Sequence, residues 1–344
     1  MKKLINILLL LIAVLPLVVA CDEYNSDVMG EGFAPYNSLV TKYRQQVYVE
    51  FKDGGARVWG RHADKVDYQI NGSSVSITSN LDSLAIFAYG HATKDDEFDF
   101  EGSLEINSSK SYALYLTGLS LRCEDRAAIK SVGNSECFLV LTDKSQNHIN
   151  GSIESDGAFI FDGAGSLNIE SENSAALTAN GGCTCSYPVK VNIVSKNAGA
   201  LKLGKGGMRI ADGTWSIKSK GDVFDVQDDY VAIYGGKVVA QSESGKFVNA
   251  AADKGLLTNS SECFAIAAEK SVLVEPERQF IWQARVDTLA LEANIPIEIN
   301  RTPNNSTKPV KLTTITPAFN FDTPWILISN ETLVEEDLVT FTNK

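Results

Sequence analysis

The densest chemistry in the sequence is a run of four carboxylates, Asp222, Asp225, Asp228 and Asp229, within Gly221-Asp222-Val223-Phe224-Asp225-Val226-Gln227-Asp228-Asp229. Calcium takes about six to eight oxygen ligands, and a turn presenting Asp222, Asp228 and Asp229 beside backbone carbonyls supplies several of them. Asp225 has a plainer reading. Phe224 and Val226 alternate inward around it, so it faces out, and Lys202 stands at the equivalent outward position of the preceding unit, where it would close an ion pair. Carboxylates in a surface turn are ordinarily solvated. A second acidic run, Asp95-Asp96-Glu97-Phe98-Asp99, is read as an exposed loop. Tyr230 and Tyr234 adjoin the acidic turn and Trp59 lies upstream; an exposed aromatic face stacks on the apolar face of a sugar, so these three are the candidate carbohydrate platforms. Trp215 keeps register with aliphatic residues and is read as core.

Catalysis has a narrow basis. Lys202, Arg209, Lys218 and Lys220 surround Asp222 and Asp225 in sequence, and a polysaccharide lyase needs only a calcium-bound uronate and a lysine or arginine base. Lysines on outward strand positions usually only solubilise. His62, His91 and His148 are the only histidines, and no Gly-x-Ser-x-Gly elbow, phosphate loop or zinc-ligand spacing accompanies them. Six cysteines include Cys21, which leaves an odd number in the rest of the chain. Cys123 and Cys137 lie on successive strand runs and could pair, closing a short loop worth about 3 kcal/mol. Cys183-Thr184-Cys185 with Cys263 lacks zinc spacing, and buried thiols are the default.

The elements that position these groups are visible as a repeat. Leu167, Val191, Trp215 and Val238 recur at steps of 24, 24 and 23, with Ile169, Ile193, Ile217 and Ala240 two residues on and Ser171, Ser195, Ser219 and Ser242 two further. A second column, Leu177, Leu201, Phe224 and Phe247, has steps of 24, 23 and 23. Within each unit apolar residues alternate at spacing two, as in Leu167-Asn168-Ile169, which is strand periodicity. Gly165, Gly213 and Gly235-Gly236 stand before the strands, where turns are needed. Three strands of about five residues joined by turns of two to four give a coil of roughly 21 to 27 residues. The expected fold is therefore all-β, a right-handed parallel β-helix of about 23–24-residue coils, with the aliphatic columns buried and the serine column hydrogen-bonding along itself. Ile297-Glu298-Ile299, Val310-Lys311-Leu312 and Trp325-Ile326-Leu327-Ile328 read as strands of a small C-terminal β cap or domain.

The chain also resembles the bacterial carbohydrate-binding domains of parallel β-helix fold, which are related in shape to polysaccharide lyases. The residues that carry the resemblance are Val47-Tyr48-Val49-Glu50-Phe51, Asn71-Gly72-Ser73-Ser74-Val75-Ser76-Ile77-Thr78, the run Tyr112 to Leu121, Ala127-Ala128-Ile129 and the run Gly157 to Leu167. The resemblance implies non-catalytic binding of acidic polysaccharide with calcium. Family members carry Asp-Gly at successive turns. Here the corresponding stretches read Glu172-Asn173-Ser174, Lys196-Asn197-Ala198 and Glu243-Ser244-Gly245, so calcium sites should be few.

The N-terminus supplies an address. Lys2 and Lys3 precede a 16-residue apolar run, Leu4 to Val19, shorter than the roughly 20 residues of a spanning helix, and Val18-Val19-Ala20-Cys21 ends it as a lipoprotein signal does. Cleavage leaves Cys21 first, carrying diacylglyceryl and N-acyl (palmitate-type) chains that suffice for stable anchoring. Asp22-Glu23 resembles the surface-export signal of Gram-negative lipoproteins. Losing Lys2 and Lys3 takes the 31 basic residues to 29 against 43 acidic ones, a formal charge of −14 where the full chain has −12. Such a field repels nucleic acid and anionic headgroups. The sequence thus predicts a signal over 1–20, a lipidated tether over 21–45, the β-helix over 46–275 and a β region over 276–344. The expected protein is anchored at the outer membrane or cell surface and binds polysaccharide, with a lyase or a passive spacer or adhesin as alternatives.

Overall fold

The computed structural model describes residues 42–52, 54–90, 100–258, 261–274, 281–287, 290–334 and 336–343. Cys21, His91 and the Asp95–Asp99 run lie outside them. The described residues form almost only β-strands, and no helix among them is long and apolar enough to cross a membrane. A parallel β-solenoid of about seven turns makes up most of the structure. Each complete coil lays one strand on each of three faces. In one coil these are Leu201–Leu203 on face 1, Met208–Ile210 on face 2 and Thr214–Ser219 on face 3. Equivalent strands of successive coils pair in parallel. Tyr112–Arg122 starts on face 2, where it pairs with Cys137–Leu141, and ends on face 3, where it pairs with Gln146–Asn150.

Alternation explains why these segments become strands. Along Ser166–Ser171, Lys190–Ser195 and Thr214–Ser219 every second residue is buried, so each strand gives one side to the core and one to water. The predicted face 3 register is the observed one: Leu167, Val191, Trp215 and Val238 are paired neighbours, as are Ile169, Ile193, Ile217 and Ala240. Trp215 is fully buried. A fully buried Leu, Ile or Phe contributes about 1.5–3 kcal/mol, and the stacked columns place dozens of such side chains in one cluster.

Three expectations need correction. In the second column Phe224 pairs with Val248, not with Phe247, whose ring instead meets Phe224 edge-on at 5.4 Å. The serine column does not bond along itself. Ser171 and Ser195 both donate to the Ser174 carbonyl, and Ser219 and Ser242 both to the Gly221 carbonyl, so each pair of serines shares one turn acceptor. Cys123 and Cys137 are free thiols, as are Cys183, Cys185 and Cys263. Cys137 starts a face 2 strand beside Tyr112, whereas Cys123 follows Arg122 at the far end of the bent strand and bonds to the Asn150 carbonyl.

Both ends of the stack are dressed with antiparallel strands, which blunt exposed edges. At the N-terminal end Gln45–Lys52 runs parallel to Leu84–Gly90 and antiparallel to Gly55–Trp59, and Asp67–Asn71 lies antiparallel on Ser74–Ser79. At the C-terminal end Trp325–Ser329 pairs antiparallel with both Glu262–Glu269 and Trp282–Arg285. A separate sheet has Ile297–Thr302 between Val310–Ile315 and Leu338–Asn343. The last face 3 strand turns Phe264 and Ile266 outward into a second apolar cluster with Ile297, Ile299, Ile326 and Ile328. Gln241 ties the two parts together, donating to the Thr316 carbonyl at 3.0 Å and accepting from Ala318 N at 2.6 Å. The C-terminal strands are therefore both an edge cap and a small β unit.

Candidate functional site

The four candidate aspartates are separated by the strand they flank. Phe224–Gln227 runs along face 1, with Asp222 before it and Asp228 and Asp229 after it, and an extended residue advances about 3.3 Å. Asp222 Oδ1 accepts from Lys246 N at 2.7 Å. Asp229 holds two backbone amides, Gly206 N at 2.6 Å and its own neighbour Tyr230 N at 2.8 Å. Asp225 does stand beside Lys202, but its Oδ1 accepts from Asn249 Nδ2 at 3.3 Å and the expected ion pair is not formed. Among the described residues no three Asp, Glu, His or Cys side chains converge on a common point. Asp222 and Asp229 thus fasten turns by accepting from backbone amides.

The candidate aromatics also part company. Trp59 stacks on Tyr48 at 4.6 Å, opening a pile that continues through Phe87 at 5.1 Å and Tyr115 at 4.4 Å, and its indole N–H donates to Tyr89 Oη at 3.1 Å. The Arg57 guanidinium lies 5.1 Å from its ring centre, so Trp59 serves the N-terminal cap. Tyr230 accepts from Lys254 Nζ at 3.1 Å, a hydrogen bond that pushes the Lys254 ammonium above its usual range. Tyr234 remains an exposed ring, at 51%. It lies past the far end of Tyr230–Ile233, roughly 13 Å from Tyr230 along the extended chain. The basic residues near Asp222 scatter likewise: Lys202 points out from face 1, Arg209 from face 2 and Lys218 from face 3, while Lys220 pairs with Glu243 at 2.8 Å.

What the structure does bring together is the outward side of face 1. Nine strands place Gln69, Ser76, Glu105, Lys130, Glu154, Thr178, Lys202, Asp225 and Asn249 side by side as one ladder. Their inward neighbours, such as Leu104, Ile129, Ile153, Leu177 and Leu201, are core. The rungs are about 4.8 Å apart. Two depressions lie on this ladder. One of about 370 Å³ includes Ser76, Glu105, Arg126, Lys130 and Glu154. The other, of about 510 Å³, includes Asn180, Lys202, Lys205, Asp225 and Asp228. Only the Thr178 rung separates Glu154 from Lys202. Glycine allows the turn between Leu201–Leu203 and Met208–Ile210 to pack: Gly207 has φ +56°, and a Cβ on it would collide with the Tyr230 carbonyl of the next coil.

Residues 93–279, more than half of the chain, match the family model described as carbohydrate-binding domain-containing protein. The chain belongs to that family. No curated protein and no solved structure matches it. The matched segment of this carbohydrate-binding domain protein holds Glu105, Lys130, Glu154, Thr178, Lys202 and Asp225, and hence all of the second depression and most of the first. Trp59 and the C-terminal sheet fall outside it. The ladder is a candidate surface that sequence reasoning misses. Its signal is the polar residue lying between two inward members of each face 1 strand, as in Ile153-Glu154-Ser155 and Leu201-Lys202-Leu203.

Proposed function

We propose that this protein holds a linear polysaccharide lengthwise along the outer side of face 1 without cleaving it, while a lipid on Cys21 keeps it at the surface of the outer membrane. The observation that carries this reading is that both depressions fall on one continuous polar ladder, most of it within the segment that places the chain in a carbohydrate-binding family. An extended groove with rungs about every 4.8 Å suits a repeating polymer better than a compact ligand. Alternating ammonium and carboxylate groups offer donors and acceptors to hydroxyls, and the basic rungs give an acidic chain its footing on a protein whose 43 acidic residues outnumber its 31 basic ones. The two described histidines stand apart from the ladder. His62 accepts from Gln46 N at 3.1 Å in the N-terminal cap, and His148 faces Glu170 at 3.9 Å on face 3, so neither lies on the ladder.

The test is native affinity electrophoresis of the protein through gels containing acidic or neutral polysaccharides, with the polymer recovered afterwards. Retardation by a polysaccharide whose chain length is unchanged is the expected result. No retardation in any gel would leave the spacer reading, and an unsaturated product absorbing in the ultraviolet would establish the lyase.

A further inference from the structure

We infer that the glycan held by face 1 is a polyanion read directly by two pairs of basic side chains, Arg126 with Lys130 and Lys202 with Lys205, without a bridging metal ion. Tight binding then requires a chain long enough to reach both pairs. The inference rests on the face 1 reading above and adds the charge, the length and the contacts of the ligand. Lys130 and Lys202 are rungs of the same ladder with Glu154 and Thr178 between them, three steps or roughly 14 Å apart. Arg126 lies in the depression of Lys130, and Lys205 in that of Lys202.

Carboxylates face these cations from the same sheet. Glu105 and Glu154 flank Lys130, and Asp225 flanks Lys202. Yet none of Lys130, Lys202 and Lys205 closes an ion pair with any described residue. Elsewhere on the solenoid the same step of one coil does give pairs, Lys196 with Glu172 at 2.9 Å, Lys220 with Glu243 at 2.8 Å and Lys237 with Glu262 at 3.1 Å. On face 1 three of the acids have other partners: Glu154 accepts from Ser152 Oγ at 3.2 Å, Asp225 from Asn249, and Asp229 from two backbone amides. The lysine ammonium groups keep their donors for a ligand. Arg126 gives one Nη2 contact to Ser74 Oγ at 2.6 Å and retains other N–H groups. A second contact on the same chain is intramolecular once the first has formed, so affinity rises steeply when the ligand spans both pairs.

Calorimetric titration of the purified chain in chelator tests this, using a galacturonate dimer, a galacturonate decamer and a neutral cello-oligosaccharide of matched length. The decamer should bind more than tenfold tighter than the dimer and lose affinity with added salt. Lys202→Gln with Lys205→Gln, or Arg126→Gln with Lys130→Gln, should each weaken the decamer about tenfold. Lys196→Gln should change nothing, and unchanged melting temperatures for all variants certify the fold. Decamer binding lost in chelator and restored by calcium would overturn the inference in favour of a metal bridge. Equal binding of the neutral chain, indifferent to the substitutions, would overturn it while leaving the face 1 reading in place, and absence of binding by every probe would remove both.

Discussion

Ile193→Asp tests the coil architecture at its most repeated position. Ile193 is fully buried between Ile169 and Ile217 of the adjoining coils. Truncating a buried isoleucine costs about 2–5 kcal/mol, and an unpaired carboxylate in the same place adds several more before it takes up a proton. The sum, roughly 5 kcal/mol or more, approaches the whole stability of an ordinary domain. Asn192→Asp supplies the matched control. It adds the same charge one residue away, on the outward side between Asn168 and Ser216, where a surface change is worth about 0.5 kcal/mol or less. Urea titrations followed by far-ultraviolet circular dichroism and by tryptophan fluorescence give the two midpoints. Because each coil contacts mainly its neighbours, the signal of Trp215, one coil beyond Ile193, should be lost early in Ile193→Asp. Equal midpoints for the two variants would refute the inward and outward assignment of face 3.

Three further outcomes follow from the same structure. Gly207→Ala should lower the melting temperature, because its positive φ and the Tyr230 carbonyl leave no room for a Cβ; a wild-type melting curve would contradict that turn. Native protein at mildly alkaline pH should expose to Ellman's reagent only the half-buried Cys123, since burial pushes the thiols of Cys137 up to about 12 and Cys185 to about 11 and raises Cys183 and Cys263 as well. Denaturation should release all five thiols, and a count of three would reinstate a Cys123–Cys137 bridge. Cys21→Ser should abolish fatty-acid labelling and release the protein from membranes; label retained in that variant would refute the lipid anchor.

The architecture was legible in the sequence because stacking makes it periodic. The columns through Leu167, Ile169 and Ser171 could be laid against later coils by counting, and the structure pairs them as counted. The count slipped at Phe247, where two adjacent residues are both buried and the paired one is Val248. The aromatic pile of Trp59, Tyr48, Phe87 and Tyr115 was hidden because the early coils are longer and its members do not recur at 24 residues. The site was harder to see for a physical reason. Composition drew attention to the dense aspartates, but a carboxylate in a tight turn readily satisfies nearby backbone N–H groups, as Asp222 and Asp229 do. The ladder is dispersed, one residue per coil, and becomes a surface only when the coils stack. Glu105, Lys130, Glu154, Lys202 and Asp225 carry no local signature beyond being the outward member of a face 1 strand.

The central claim, that polysaccharide lies on the outer side of face 1, is tested most directly by amine footprinting. Intact protein would be acylated with and without saturating polysaccharide, and lysine modification read by mass spectrometry. Protection of Lys130, Lys202 and Lys205, with Lys196, Lys218 and Lys237 modified equally in both samples, is the predicted pattern. Protection of Lys218 and Lys237 on face 3, with Lys130 and Lys202 still fully reactive, would contradict it.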